Sequence, residues 1–400
     1  MEHDRPVARA CAILSIAWLC CCPRVSHGQD RLWTDARING QAARLAFDTG
    51  AQEIILFQSG AERLGLRMLD AQTNSSFAPP GKAVRRWTTA ECELRLWDGA
   101  IKLALPVIEL PHGLDRRDQA DGVVGWASLR NNLFRIDALA KAVTPLSQVP
   151  EEAKQWATLR LRTDAMVLQL ETRGPQHQFD FIGIDTGSPK GIALHPQRWR
   201  DWKASHPNQP STIGTYFMPG AGLKAGPEVW ADEVSIGGLV LTQVPVREGN
   251  VTEVLAGDRR CEGTLGMAAL KRLDLVIDGK KGVAYFRLKT TPAAPYEHNR
   301  LGADFLPTDA HGAELTALVI PGTPAYEAGV RNGDVFLGVG GAEAAEWRQH
   351  PELPLNFLWT CPAGTRFQLI WRRGGETFKA PVVLRDILGP LGATRNHHYY

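Results

Sequence analysis

The feature that most constrains how this chain folds is a repeated motif, in which an apolar residue is followed by Asp-Thr-Gly and then by Ala or Ser. The motif occupies 47–51 and recurs at 184–188. Each copy follows an alternation of apolar and polar residues typical of a β-strand, around 44–46 and 180–182. The repeat predicts two copies of one structural unit.

Two more pairs of matching segments follow the motifs in the same order and at nearly the same spacing. The segment 97–107 matches 236–246, and both have glycine at a turn between apolar stretches, as in a β-hairpin. The segment 124–137 matches 265–278. Both copies are rich in short alternating stretches with Gly or Pro turns, which predicts a mainly β fold of the barrel or sandwich type.

One short helix is expected in each copy, near 126–131 in the first and near 267–272 in the second. Each helix lies within the third pair of matching segments, directly after the apolar residue and glycine that open it. Their equal positions strengthen the interpretation that the two halves share one architecture.

Composition limits the classes of function. The chain has 400 residues, of which 44% are hydrophobic and 22% charged, so it is a globular protein large enough for two or three packed units. The net charge of +2 gives no argument for binding nucleic acid or an anionic membrane. No serine-hydrolase, zinc-protease, phosphate-loop or paired-cysteine zinc motif occurs, so we expect no metal and no cofactor.

The N-terminal residues have the pattern of a signal peptide. Arg5 and Arg9 precede an apolar run at 11–22, and small residues follow at 26–28. The run is shorter than the roughly 20 residues that a membrane-spanning helix needs. We therefore expect residues 1–28 to be removed and the protein to be periplasmic or secreted, with an uncleaved anchor as the alternative.

Seven cysteines would suit a disulfide-rich protein, but four of them lie in the expected signal peptide. The other three, Cys92, Cys261 and Cys361, are far apart in the sequence. We expect them to be small buried apolar residues, and a disulfide between two of them is the alternative.

The duplication of Asp-Thr-Gly indicates chemistry. A single copy is equally consistent with a harmless turn, in which Asp accepts a backbone hydrogen bond and Gly allows a positive φ. Two copies related by an approximate two-fold axis would bring their aspartates face to face. Two carboxylates about 3 Å apart cannot both ionise, so such a pair holds one proton and offers an acid and a base together.

These motifs resemble those of the pepsin-like and retropepsin-like aspartic peptidases. That family also has two apolar residues and a glycine that pass behind the catalytic loop, as at 123–125 and, more loosely, at 264–266. The resemblance covers about 33–288. It implies two pseudo-symmetric β-barrel lobes, at 29–150 and 151–288.

The resemblance also implies roles for the motif residues. Asp48 and Asp185 would form the catalytic pair that activates water for hydrolysis of a peptide bond, without a covalent intermediate or a metal. The supporting residues would be Thr49, Gly50, Ala51, Thr186, Gly187 and Ser188. Because Ser188 could donate a hydrogen bond to Asp185 while Ala51 could not do so for Asp48, we expect Asp48 to hold the shared proton more of the time.

The substrate-covering flap departs from the pepsin-like pattern. The candidate segment in the first copy, 77–87, lacks the tyrosine that these enzymes usually carry there. Its substrate-binding candidates are Phe77 and Gly81. In the second copy the comparable segment is 216–222, and Tyr216 is the candidate.

A third unit follows a linker at 289–296. Residues 297–388 resemble a small α+β PDZ domain, with a short helix after Thr323 and a strand after 331–334. The resemblance implies that 301–305 forms a peptide-binding loop, with Leu301, Gly302 and Phe305 near the C-terminus of a bound peptide. In the alternative this unit only packs against the peptidase lobes. Residues 389–400 are expected to form a flexible tail.

The sequence thus predicts an exported aspartic endopeptidase that acts on peptides or proteins. Both aspartates lie in one chain, so the active unit is expected to be a monomer. The alternative is a non-catalytic peptide-binding or scaffold protein, which acts through the PDZ-like unit and a degenerate peptidase cleft.

Overall fold

A computed structural model describes most of the chain, namely residues 31–74, 84–110, 120–162, 164–172, 179–218, 222–249, 260–292, 295–308, 314–340, 342–344 and 356–388. The expected signal peptide and C-terminal tail lie outside these ranges. The described part is mainly β, as the sequence predicts.

The first sheet has nine strands and is built from the first copy of the repeat. Its strands are β1 (Trp33–Ile38), β2 (Gln41–Phe47), β3 (Ile55–Phe57), β4 (Met68–Asn74), β5 (Val84–Thr89), β6 (Cys92–Leu96), β7 (Gly99–Leu103), β8 (Pro106–Ile108) and β9 (Gly122–Val124). They lie in the order β4-β5-β8-β3-β9-β2-β1-β6-β7. Strand β9 is parallel to β2 and antiparallel to β3, so it separates these two strands.

The second sheet has seven strands and comes from the second copy. Its strands are β13 (Gln169–Glu171), β14 (Phe181–Ile184), β15 (Ile192–Leu194), β16 (Ser211–Met218), β17 (Gly222–Ile236), β18 (Leu239–Glu248) and β19 (Cys261–Leu265). Their order is β13-β14-β19-β15-β18-β17-β16. Strand β19 is parallel to β14 and antiparallel to β15, which is the arrangement of β9 in the first sheet.

A third sheet of five strands joins the two halves. It contains β10 (Leu133–Asp137), β11 (Ala142–Pro145), β12 (Ala157–Arg160), β20 (Leu273–Asp278) and β21 (Val283–Leu288). The order is β11-β10-β20-β21-β12, so β10 of the first half pairs with β20 of the second. The two halves therefore share backbone hydrogen bonds as well as side-chain packing.

The helices of the described chain are short. They are α1 (Gln58–Arg63), α2 (Trp126–Leu129), α3 (Pro196–Ser205), α4 (Met267–Leu270), α5 (Pro324–Glu327) and α6 (Asn356–Trp359), with a 3₁₀ helix at Glu151–Gln155. Helices α2 and α4 confirm the two helices predicted after the matching segments. Helix α3, the longest, has Pro at its start and buries Trp199 and Trp202.

The predicted hairpins also form. Strands β6 and β7 are joined through Trp97, which has a φ of +53°, and β17 and β18 through Gly237 and Gly238. A positive φ costs little for glycine and more for a side chain such as that of Trp97. The ring of Trp97 packs 5.7 Å from that of Phe134, and this contact offsets part of the cost.

The two largest hydrophobic clusters lie in different parts of the described chain. One runs from Leu32 to Ala284 and fills the space between the sheets of both halves. The other runs from Leu301 to Leu384 and belongs to a fourth sheet in the C-terminal unit. This sheet contains β22 (Ala303–Pro307), β23 (Leu315–Val319), β24 (Val335–Val339), β25 (Ala342–Glu343), β26 (Arg366–Arg373) and β27 (Glu376–Val383).

The C-terminal sheet has the order β22-β23-β24-β26-β27, with β25 paired to β24. Strand β22 is therefore at an edge. The change of core between Ala284 and Leu301 is where the sequence predicts a linker. The boundaries of the lobes, the two-fold relation between them and the PDZ identity of the last unit stay predictions.

The three cysteines of the described chain, Cys92, Cys261 and Cys361, are buried, as expected of small apolar residues, and the structure places none of them in a disulfide. Among the described residues, no helix is long and apolar enough to cross a membrane.

A buried histidine ties the end of the described chain to the C-terminal unit. The Nε2 atom of His298 accepts hydrogen bonds from the backbone N–H groups of Ile387 and Leu388, each at 3.1 Å. Such acceptance requires a neutral imidazole with its proton on Nδ1, where it can be donated to the carbonyl of Tyr296. Burial lowers the pKa of His298 below its usual value of 6.5.

Acidification should destabilise this contact. Because the pKa of His298 is lower in the folded state than in the unfolded state, the unfolded chain binds more protons below about pH 6.5. The stabilisation by neutral His298 is present above that pH and is lost as the pH falls. We expect the melting temperature of the wild type to fall more steeply between pH 7.5 and 5 than that of His298→Gln, in thermal unfolding of the full chain. Parallel curves for the two proteins would contradict this expectation.

Candidate active site

Strand pairing places both Asp-Thr-Gly loops. Asp48 follows β2, and its backbone N–H donates to the carbonyl of Val124 at the end of β9, at 3.1 Å. Asp185 follows β14, and its N–H donates to the carbonyl of Leu265 at the end of β19, at 2.9 Å. The apolar segments 123–125 and 264–266 thus run beside the loops, as the resemblance implies.

The short helices α2 and α4 hold the last residue of each Asp-Thr-Gly loop. In the first half, the N–H of Trp126 at the start of α2 donates to the carbonyl of Ala51, at 2.9 Å. In the second, the N–H of Met267 at the start of α4 donates to the carbonyl of Ser188, at 2.8 Å. The first N–H groups of a helix have no partner within the helix. Here the loop carbonyls accept hydrogen bonds from them, and these bonds fix the position of each loop.

Each aspartate accepts two hydrogen bonds from its own loop. The Oδ1 atom of Asp48 accepts from the N–H of Gly50 at 2.9 Å and of Ala51 at 3.1 Å. The Oδ1 atom of Asp185 accepts from Gly187 and Ser188 at the same two distances. One oxygen of each carboxyl group is thereby fixed, and the other is left for the opposite carboxyl group and a ligand.

The two glycines allow the loops to meet. A Cβ atom built on Gly50 would lie 2.4 Å from Oδ1 of Asp185, and one on Gly187 would lie 2.3 Å from Oδ2 of Asp48. Real Cβ atoms do not approach other atoms so closely. Each glycine therefore packs against the aspartate of the other half, and any side chain would push the pair apart.

Two buried threonines cross-link the loops. The hydroxyl of Thr49 donates to the carbonyl of Ile184 at 2.7 Å, and that of Thr186 donates to the carbonyl of Phe47 at 2.8 Å. Each hydroxyl also accepts the backbone N–H of the other threonine, at 3.2 and 3.0 Å. Both threonines are at most 1% exposed, so all four bonds are shielded from water.

Burial raises the pKa of both aspartates above the usual value of 3.8. Both residues keep some exposed surface, but protein surrounds their carboxyl groups. For Asp185 the negative charge of Asp48 and a hydrogen bond between the two carboxyl groups raise the pKa further, well above 3.8. That same bond lowers the pKa of Asp48, so the two carboxyl groups titrate as a coupled pair that shares one proton.

The contact behind the expectation that Asp48 holds the shared proton differs from the one in the structure, and the position of the proton stays a prediction. The expectation rested on a hydrogen bond from the hydroxyl of Ser188 to Asp185. In the described structure Ser188 donates to Asp185 through its backbone N–H, just as Ala51 donates to Asp48. The difference between serine and alanine at this position therefore does not reach the carboxyl groups.

The flap candidates are only partly described. Phe77 and Gly81 lie outside the described residues. Tyr216 lies on β16, half-buried, with the guanidinium of Arg247 4.1 Å from the centre of its ring. A role for these three residues in binding substrate stays a prediction.

The loop predicted to bind a peptide C-terminus is not accessible. Leu301 is fully buried and Phe305 is 2% exposed. The N–H groups of Leu301 and Gly302, which should receive a carboxylate, donate instead to Oδ1 of Asn299, at 3.0 and 2.9 Å. The prediction overlooked Asn299, because a nearby side chain that occupies a loop's donors has no distinct sequence signal.

Among the described residues, no group of three or more His, Cys, Asp and Glu is arranged to hold a metal ion. The paired carboxyl groups themselves offer an acid and a base side by side.

The threonine cross-link should be needed for stability. Replacing Thr49 or Thr186 with Val removes one donor and leaves a buried carbonyl and a buried N–H unpaired, which costs about 1–3 kcal/mol for each group. We expect Thr49→Val and Thr186→Val each to lower the free energy of unfolding in urea, and the double variant to lose less than the sum, since both share the same bonds. Thr34→Val is the control, because the buried hydroxyl of Thr34 has no hydrogen-bond partner in the described chain.

The hydroxyl of Ser188 should be dispensable for titration of the pair. We expect Ser188→Ala to leave the pH dependence of any activity of the site unchanged, because the N–H at this position, which alanine retains, makes the bond to Asp185. A shift of either limb of a pH–rate profile would show that the hydroxyl contacts Asp185 in solution.

Comparison with known proteins agrees with this geometry for the first half of the site. A family model described as aspartyl protease matches residues 34–127. No curated protein is similar enough to match. A solved structure, the EIAV protease complexed with the inhibitor HBY-793, is 20% identical and covers 26% of this chain and 88% of its own, with a TM-score of 0.20. A score this low carries no argument, and the family match alone indicates that 34–127 form an aspartic-protease-like domain.

Proposed function

We propose that this chain is an aspartic endopeptidase that hydrolyses peptide bonds with Asp48 and Asp185. The observation that carries the proposal is the contact between the two carboxyl groups, in which each has one oxygen fixed by two backbone N–H groups of its own loop. The match of 34–127 to the aspartyl protease family supports the assignment of Asp48. The assignment of Asp185 rests on its contact with Asp48.

The pair can act on water and substrate at once. Ionised Asp48 takes a proton from a water molecule held between the carboxyl groups, and the oxygen of that water attacks the carbonyl carbon of the peptide bond. Protonated Asp185 donates its proton to the carbonyl oxygen, so negative charge does not build up there. The product of this step is a neutral tetrahedral diol.

Breakdown of the diol completes the reaction. The Asp48 carboxyl group, which now holds the proton from water, gives it to the amide nitrogen as the C–N bond breaks. Asp185 takes a proton back from one hydroxyl of the diol, so a carboxylic acid and an amine are released and the pair regains its starting proton. Neither step needs a covalent bond between protein and substrate.

The threonine cross-link supports this mechanism by limiting motion. General acid–base catalysis requires both carboxyl groups to stay within hydrogen-bond reach of the same water molecule. Four buried hydrogen bonds between the two loops keep the carboxyl groups of the aspartates within this reach of each other. Because these bonds already fix the two loops, the loops need not reorganise when substrate binds.

The remaining parts of the proposal concern setting and partners. We propose that the substrate is a peptide or protein, that one chain suffices for activity, and that the protein works in the periplasm or outside the cell. Export rests on the signal-peptide pattern of residues 1–28. The physiological substrate stays open, and so does a PDZ-like role of the C-terminal unit.

Cleavage of a mixed peptide library by the full chain between pH 3 and 8 tests the proposal. Asp48→Asn and Asp185→Asn should each lower kcat/KM by roughly 100- to 10,000-fold, since removal of either carboxyl group removes the acid–base pair. The wild-type rate should rise with pH as the first carboxyl group ionises and fall as the second does. Because burial raises both pKa values, we expect both limbs above pH 3.8.

Asp98→Asn is the matched control, since Asp98 is exposed at the turn between β6 and β7. It should cleave as the wild type does. Absence of turnover by the folded wild type at every pH would instead favour a non-catalytic peptide-binding or scaffold protein.

A further inference from the structure

A set of buried polar contacts joins the C-terminal unit to the second half of the peptidase. The hydroxyl of Thr212 on β16 donates to the carbonyl of Asn299, and that of Thr215 donates to Oδ2 of Asp304 on β22. Both threonines and Asp304 are at most 3% exposed. Polar groups buried so completely cost free energy unless they are paired, so these contacts are specific to one docked arrangement.

A third polar contact lies on β17. Glu228, only 1% exposed, accepts a hydrogen bond from the hydroxyl of Tyr296 in the segment that leads into the C-terminal unit. Beside it Trp230, 3% exposed, packs with Ile387 and Leu388 from the end of the described chain. The surface therefore has an apolar cluster next to its hydrogen bonds, the composition of a lasting interface.

Asp304 is the central group of this surface. Its carboxyl group accepts from Thr215 across the interface, and from the N–H of Phe305 and the indole of Trp359 within its own unit. Burial raises the pKa of Asp304, and the positive charge of Lys190 acts in the opposite direction.

The same surface covers the edge strand β22. In a unit that reads peptides by strand addition, an edge strand and a loop of free N–H groups must face solvent. Here β22 packs against β16 and β17, and Asn299 occupies the N–H groups of Leu301 and Gly302. A peptide would have to displace these contacts in order to pair with β22.

We propose that the C-terminal unit is a permanent brace of the peptidase body, docked through Asp304, Asn299 and Tyr296 onto the hairpin β16–β17, and that its edge is closed to peptides. The partner of this surface is the chain's own second half. The unit thereby fixes one side of the hairpin that carries Tyr216. This inference does not depend on catalytic activity.

Amide hydrogen exchange of the full chain tests the proposed brace. A substitution is made on one side of the interface, and the exchange rates of amides on the other side are measured. Thr215→Val on β16 keeps the shape of the side chain and removes the donor to Asp304. Loss of one partner of a buried carboxylate should speed exchange of the amides at 303–307 by roughly 10- to 100-fold. In the reverse direction, Asp304→Asn should speed exchange of the amides at 211–218.

Thr316→Val is the matched control. The hydroxyl of Thr316 on β23 donates to the carbonyl of Leu306, so its contact lies within the C-terminal unit. It should leave exchange at 211–218 at the wild-type rate. The proposal is overturned if Thr215→Val leaves 303–307 unchanged, or if a random library of C-terminal peptides binds the wild-type protein with saturable affinity that Leu301→Ala abolishes.

Discussion

The constraint on which the rest of this structure depends is the close approach of two carboxyl groups from loops far apart in the chain. Two like charges at contact distance repel, and burial adds a desolvation cost to each. The loops therefore need a framework that holds them against this repulsion. Reciprocal hydrogen bonds between Thr49 and Thr186 supply the nearest part of that framework, because each hydroxyl joins one loop to the other at two points.

The next part of the framework lies behind the loops. Strands β9 and β19 fix the residues where each loop begins, and helices α2 and α4 fix the residues where each loop ends. A loop held at both ends by backbone hydrogen bonds has little freedom to relieve the strain between the carboxyl groups. The pair responds by sharing a proton instead of moving apart, and this response is what gives the site an acid and a base.

Much of the site could be predicted from the sequence because each copy of the motif is short and continuous. Five consecutive residues carry the aspartate, the threonine and the glycine, and their duplication indicates that they meet. The position of the shared proton could not be derived from the side chain of Ser188, because the backbone N–H of this residue, and not its hydroxyl, contacts Asp185. The docking of Asp304 was also missed, because its partner Thr215 is 89 residues away and has no motif.

The pairing of β10 with β20 in the joining sheet has a consequence for biosynthesis. Leu133 pairs with Asp278, so this sheet closes only after most of the chain has left the ribosome. Such distant pairings form late, because the entropy of closing a long loop is lost before the contact is gained. A nascent chain that exposes Asp48 alone holds an unpaired aspartate with no acid beside it. The carboxyl pair is therefore assembled only after the second half has been synthesised, because Asp185 belongs to that half.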